Sequence, residues 1–260
     1  MRVGVIGFGN MGGALADCIS CVLGNENIIV YDISGEKMNL ALDKGYGSAS
    51  DIYFLCNASD VILVAVKPQD SEKVLKEISE KLEGKLIIST VAGLELKRIY
   101  EYTNTRKVIR IMPNINVSVG KGTIAYVCGD GIREKEEKIF LDIMRDCGFL
   151  IKIKESMMNA FTALCGSGPA FVAEFIKGLA LAGLREGFDY KTSLELAINL
   201  VEGTAVTMLK KKYKPEDIIS LVSSPAGTTI EGVRYLQEKG FAGTVINCVR
   251  EAKKRAEEIL

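Results

Sequence analysis

Arg2-Val3-Gly4-Val5-Ile6-Gly7-Phe8-Gly9-Asn10-Met11-Gly12-Gly13-Ala14-Leu15 is the stretch that decides the fold. A short run rich in Val and Ile reads as a buried strand, and Gly7-x-Gly9-x-x-Gly12 follows it at once. A helical pattern begins at about residue 11. In this strand–loop–helix setting the glycines permit a tight turn, close approach of a pyrophosphate to the backbone, and close helix–strand packing. The helix that follows turns its free N–H groups and its dipole toward the phosphates. Gly7, Phe8, Gly9, Asn10, Met11 and Gly12 are therefore the expected phosphate-binding loop of a dinucleotide site. Asp32, at the end of the next strand, stands where a carboxylate accepts hydrogen bonds from the adenosine ribose and repels a 2′-phosphate. It leans toward NADH, while Ser34 and Lys37 just beyond soften that preference.

Working outward, apolar runs at 2–6, 27–31, 61–66, 85–90 and 107–111 alternate with helical patterns near 11–23, 35–44, 70–82 and 94–102. Such alternation implies right-handed βαβ units and an open parallel sheet covered on both faces. Further strands are expected at 123–127 and 149–153, around a charged helix near 133–146. Val66-Lys67-Pro68, Val91-Ala92-Gly93 and Met112-Pro113-Asn114 fall at strand ends on the edge where open α/β sheets bind ligands. Val66, Lys67, Pro68, Ala92, Gly93, Pro113 and Asn114 accordingly join the expected cofactor contacts. An ordinary strand-to-helix turn explains each triplet equally well.

After about residue 154 the strand signal disappears. Helices are expected near 155–164, 168–187, 191–211, 215–222, 229–239 and 242–259, separated by punctuation such as Gly166-Ser167-Gly168-Pro169, Gly187-Phe188-Asp189 and Lys214-Pro215. The fold class is thus α/β followed by all-α: a Rossmann dinucleotide-binding domain over 1–153 and a helical domain over 154–260. The 168–187 helix is apolar on most sides, a pattern that demands burial all round. A second subunit is the expected cover.

Composition narrows the chemistry. The 260 residues carry 33 basic and 33 acidic side chains, which argues against a nucleic-acid partner. No signal peptide is visible at the N-terminus, no apolar run is read as membrane-spanning, and a cytoplasmic protein is expected. Histidine is absent, which removes Ser-His-Asp and Cys-His catalysis and histidine metal sites. The seven cysteines have no framework spacing; Cys18-x-x-Cys21 lacks a second pair, and buried reduced thiols are expected.

One small-residue segment remains, Ser223-Ser224-Pro225-Ala226-Gly227-Thr228-Thr229. Two helix caps would account for part of it: Ser224 as N-cap with Pro225 at N1, and Thr228-x-x-Glu231 as a capping box. With the glycine loop, Val66-Lys67-Pro68-Gln69, Arg110-Ile111-Met112-Pro113-Asn114 and Gly166-Ser167-Gly168-Pro169-Ala170-Phe171 all in order, it makes the chain resemble Δ1-pyrroline-5-carboxylate reductases over essentially its full length.

The resemblance implies NADPH or NADH as cofactor, a small cyclic imine acid as substrate, and a homodimer through the helical domain that can assemble further. It implies an active site between cofactor domain and helices, with L-proline as product. Thr229 would hydrogen-bond the imine nitrogen. Val222, Ser224, Gly227 and Thr228 would hold the substrate, its carboxylate on the Gly227 and Thr228 N–H groups and the Ser224 hydroxyl.

Three features depart from the family pattern. Ala226 stands where relatives have glycine, so a positive φ is not expected there. Ile115-Asn116 replaces a Thr-Pro pair, and Asp32 occupies a position that relatives suit to NADPH. Two other classes fit the residues less well. A β-hydroxyacid dehydrogenase is disfavoured because its lysine is missing from the helix after the Rossmann domain. A non-catalytic dinucleotide-binding protein is disfavoured by the intact Thr229 segment.

Overall fold

A computed structural model describes residues 1–258. The chain divides into two compact units. One is Met1–Ser167 joined by the end of the chain from Lys253; the other is Gly168–Ala252.

The first unit is built on a twisted eight-stranded sheet in the order β3-β2-β1-β4-β5-β6-β7-β8. Its strands are β1 Val3–Ile6, β2 Ile28–Tyr31, β3 Gly47–Ser48, β4 Val61–Val64, β5 Leu86–Ser89, β6 Val108–Met112, β7 Gly122–Cys128 and β8 Gly148–Lys152. β1 is buried along its length, with Val5 paired to Val30 on one side and Leu63 on the other. That double-sided burial is why these strands read as unbroken apolar runs rather than alternating ones. Helices α1 Asn10–Leu23, α2 Gly35–Asp43, α3 Ile52–Ala58, α4 Pro68–Ile78, α5 Leu96–Thr103 and α6 Glu134–Met144 cover the sheet. Two apolar clusters result, one around Leu15, Ile19, Val30 and Phe140, the other around Leu55, Ile62, Ile78 and Ile99.

The sheet is not wholly parallel as expected. β7 runs antiparallel to β6, because the link from Met112 to Gly122 is a single 3₁₀ turn over Ile115–Val119. That link is too short for a helical crossover. The reading also lacked β3 and α3. A two-residue edge strand carries no periodicity, but α3 had a visible signal: Asp51 is its N-cap and accepts the Phe54 N–H at 2.8 Å.

Beyond β8 a 3₁₀ turn at Glu155–Met157 leads into α7 Met158–Phe161, a π turn at Thr162–Gly166 and α8 Gly168–Arg185. Gly166-Ser167-Gly168-Pro169, expected as a break between helices, is where the π turn ends at Gly166 and α8 begins at Gly168. This also corrects the reading that no run is long enough to span a membrane: Glu155–Arg185 is 31 residues long and passes that test by length and composition.

The second unit continues with α9 Tyr190–Lys211, α10 Pro215–Val222, α11 Thr228–Glu238 and α12 Phe241–Glu258. α8 and α9 form a hairpin turned at Gly187, whose φ is +105°. They approach closely at Gly183, where a Cβ would lie 2.0 Å from Ser193 Oγ. Of α8 only Ala180 is buried in this chain, while Val172, Phe175, Leu181 and Leu184 stay exposed.

All seven cysteines are free. Burial was overestimated, since Cys21 and Cys248 are exposed. Cys18 and Cys21 both bond backbone carbonyls, of Val117 and Asp17, as side chains on a packed helix do.

Candidate active site

The glycine loop lies at the carboxyl end of β1. Gly7 has φ +91°, and a Cβ there would meet the Ala65 carbonyl oxygen at 2.7 Å. At Gly12 a Cβ would lie 2.0 Å from the Gly7 carbonyl oxygen, so that glycine sets how closely α1 packs on the loop. Gly9 is different: nothing lies within 4 Å of where its Cβ would be. The fold itself gives no reason for glycine there, and bare backbone facing open space suits a pyrophosphate. Gly9 is also the N-cap of α1, with no side-chain cap and no acidic residue in the first turn. The first N–H groups of a helix lack intrahelical partners, so these residues fit the phosphates of a dinucleotide.

Phe8, expected in the phosphate-binding loop, turns its side chain inward. Its ring is 2% exposed and stacks edge-on against Tyr46, so it belongs to the core. Its N–H donates to Asp32 Oδ2 at 2.6 Å, while the Ser34 N–H donates to Asp32 Oδ1 at 2.8 Å. Asp32 thus sits beside the glycine loop, at the end of β2, with its carboxylate held by two backbone donors. Ser34 caps α2, accepting weakly from the Lys37 N–H at 3.5 Å. Asn10 is exposed, and Met11 packs its side chain against the core.

Val66 and Lys67 follow β4, and Pro68 is the first residue of α4. Pro68, Ala92 and Gly93 line a pocket of about 260 Å³ together with Val91, Met112 and Thr162. Gly93 has φ +79°, a backbone turn for which glycine is suited. Asn159 on α7 and Ala256 near the chain's end also face this pocket. Its lining is mostly carbon, and its place beside the end of β4 matches a flat aromatic cofactor ring better than a charged group.

Pro113 and Asn114 are buried, and Met112 forms the wall in their place. The Asn114 amide is committed inside the protein: Nδ2 donates to the Cys165 carbonyl at 3.0 Å, and Oδ1 accepts the Thr123 N–H at 3.2 Å. A cofactor contact through this side chain, as expected from its position, would use the second N–H of Nδ2 or the second lone pair of Oδ1. Cys165 stays a neutral thiol, its pKa raised by burial. Arg110 is a further buried residue whose role the sequence did not reveal. It is 2% exposed and donates to Glu155 Oε1 at 2.9 Å, an oxygen that also accepts the Leu96 N–H at 2.8 Å. A charged residue amid an apolar strand was the available signal.

In the second unit, Ser224-Pro225-Ala226-Gly227 is a turn closed by Gly227 N–H donating to the Ser224 carbonyl at 3.0 Å. Proline at its second position and a positive φ at its third are the marks of a type II turn. Ala226 has φ +56°, so the inference that this position had no need of a positive φ is corrected. Neither expected cap is present. The N-cap of α11 is Gly227 without a side-chain bond, because the turn delays the helix to Thr228. Glu231 pairs instead with Arg234 at 3.0 Å. A Cβ on Gly227 would come within 2.3 Å of Ser224 Oγ, so Gly227 is what lets Ser224 fold over the helix start. The Gly227 N–H is already engaged by the turn. The N–H groups of Thr228 and Thr229 lie in the first turn of α11, where no helical acceptor exists. Val222, the last residue of α10, is 59% exposed. Ser223 Oγ is buried without a hydrogen-bond partner among the described residues.

Among the described residues no group of His, Cys, Asp and Glu is placed to hold a metal ion.

Comparison with known proteins agrees with this architecture. Residues 155–259 match the family model described as pyrroline-5-carboxylate reductase dimerisation, and residues 2–93 match the one described as NADP oxidoreductase, coenzyme F420-dependent. The chain is 45% identical over 260 residues to a pyrroline-5-carboxylate reductase of Aquifex aeolicus, covering 100% of this chain and 97% of the relative. A pyrroline-5-carboxylate reductase structure from Coxiella burnetii superposes with a TM-score of 0.93 at 26% identity, over 99% of this chain and 97% of that one. A Plasmodium falciparum pyrroline carboxylate reductase with NADP bound gives 0.88 at 30% identity, with 99% and 97% covered. The dimerisation model starts at residue 155, before the compact unit that begins at Gly168. With identity of this degree along its whole length, the chain belongs to the pyrroline-5-carboxylate reductase family.

Proposed function

We propose that this protein reduces Δ1-pyrroline-5-carboxylate to L-proline, with NADH or NADPH as reductant. The observation that carries the reading is the Ser224–Gly227 turn feeding an α11 N-terminus that no side chain caps. Free N–H groups at a helix start form a carboxylate site without arginine. In this reading the substrate carboxylate sits on the Thr228 and Thr229 N–H groups and the Ser224 hydroxyl. Thr229 Oγ1 hydrogen-bonds the imine nitrogen and orients the C=N bond. The bound nicotinamide supplies the hydride. A cyclic imine protonates readily and is then electrophilic, so the site needs no strong general acid, in keeping with a chain without histidine. The glycine loop and Asp32 hold the adenosine diphosphate portion, and the pocket beside Ala92 and Gly93 receives the nicotinamide.

The dimerisation-type region and its exposed apolar helices support a homodimer, with a second copy covering Phe175, Leu181 and Leu184. The same cover accounts for the apolar Glu155–Arg185 run without a membrane, which supports a cytoplasmic location.

The test follows NADH and NADPH oxidation by absorbance with pyrroline-5-carboxylate, a six-membered cyclic imine acid and a 2-keto acid. Turnover of the five-membered imine is expected, and Thr229→Val should lower kcat more than it weakens cofactor binding. Turnover of the keto acid with both imines inert refutes the assignment.

A further inference from the structure

We propose that Asn114 is a positioning residue for hydride transfer, fixing the helical wall of the pocket to the end of β6. The proposal rests on the reading of that pocket as the nicotinamide site. In an α-helix the Cys165 carbonyl would accept from the residue four positions on. That residue is Pro169, which has no N–H. Local sequence therefore leaves the Cys165 carbonyl without its helical donor. The chain crosses this point with a π turn, Ser167 N–H donating to the Thr162 carbonyl at 2.9 Å. The Asn114 amide supplies the missing donor at 3.0 Å.

Its other end accepts the Thr123 N–H at 3.2 Å. A carbonyl only accepts and an N–H only donates, so the amide has one orientation. At 5% exposure it is shielded from competing water. One side chain thus joins the end of β6, the start of β7 and the π turn. Asn159 and Thr162, which line the pocket, lie just before Cys165 on the same helical segment. The other end of that segment, Glu155, is held by Arg110 of β6. Two side chains from one strand and its end therefore bracket the wall, and Met112 between them lines the pocket itself. π turns are frequent at functional sites, and here Pro169 leaves one carbonyl of the turn without a helical donor and Asn114 satisfies it.

The experiment compares wild type, Asn114→Ala, Asn114→Asp, Pro169→Ala and the Asn114→Ala/Pro169→Ala double variant. It measures kcat with pyrroline-5-carboxylate, the emission of bound NADH, and the urea midpoint. Misplacement by about 1 Å is worth roughly 10²-fold in rate, so Asn114→Ala should lower kcat by roughly 10- to 100-fold and alter bound-NADH emission. Pro169→Ala restores a helical donor to Cys165, so the double variant should regain the urea midpoint but neither kcat nor emission. Recovery of all three would show that Asn114 only satisfies a carbonyl, and overturns the proposal. So does wild-type kcat in Asn114→Ala. If that variant does not fold, Asn114→Asp keeps the acceptor for Thr123 and loses the donor at neutral pH; it should show the same loss of kcat, and wild-type kcat in it is equally fatal. Should wild type reduce no cyclic imine, the functional assignment falls by itself. The emission of bound NADH then decides the role of Asn114, an unchanged signal overturning it.

Discussion

Breaking the Arg110–Glu155 pair should cost very different amounts depending on which partner is removed. The pair spans 2.9 Å, with the arginine side chain 2% exposed and the glutamate 30%. Arg110 Nε already lacks a partner among the described residues. Glu155→Ala leaves a guanidinium sealed from water without a counter-charge, and removing one member of a buried pair costs about 3–5 kcal/mol. Arg110→Met leaves a carboxylate that reaches solvent and keeps the Leu96 N–H. That loss is nearer an ordinary charged hydrogen bond, about 1.5–3 kcal/mol before solvent screening and about 1–2 after it. The double variant should be more stable than Glu155→Ala alone, because it removes the stranded charge. Urea unfolding at one fixed protein concentration measures all three, the concentration held because any association would change apparent stability. Equal losses for the two single variants, or a larger loss for Arg110→Met, would refute the reasoning that burial sets the asymmetry.

Other outcomes follow from single features. Ala226→Gly should stabilise the protein by about 0.5–1 kcal/mol, since left-handed backbone costs alanine about 1–2 kcal/mol and glycine returns part of that in the unfolded chain; a lower urea midpoint would count against it. Asp32→Asn should raise the NADPH-to-NADH ratio of kcat/KM roughly tenfold or more, because two charges about 4 Å apart near a surface interact by about 1–4 kcal/mol. An unchanged ratio would show that Asp32 does not face the ribose. Glu137 accepts from Lys152 Nζ at 2.9 Å and from the Tyr126 hydroxyl at 2.9 Å, and Lys152 above all lowers its pKa. A depressed folded pKa gives stability above the unfolded pKa that is lost as pH falls through the folded one. Glu137→Gln should therefore be less stable than wild type at pH 7 and converge on it in acid; a constant difference down to about pH 3 would contradict this.

Much of the site was legible because its residues act through local backbone geometry. Gly7 and Gly12 are required by contacts a few residues away or on the adjoining strand end, whereas nothing in the chain crowds Gly9. Asp32 was placed by its spacing from the loop. The Ser224–Thr229 segment announced itself by composition, yet its conformation was misread as tandem caps. Ser224-Pro225 and Thr228-x-x-Glu231 satisfy cap patterns equally well, and only the closed turn at Gly227 separates the alternatives. Asn114 was assigned to the cofactor from its place after a strand. Within the chain its amide bonds Thr123 and Cys165, the latter 51 residues away.

The sequence by itself determined what repeats locally: the glycine loop, the βαβ alternation, the change to helices near residue 154, and the chemistry excluded by a lack of histidine. Each is written in the period and in the φ freedom of neighbouring residues. Only the tertiary structure decided the reversal of β7, the seating of Arg110 on Glu155, the Asn114 tether and the positive φ of Ala226. The reversal follows from a link too short for a crossover, and Ala226 from the turn that closes on Ser224. Arg110 and Asn114 depend on partners far along the chain, and no window of sequence contains the groups that satisfy them.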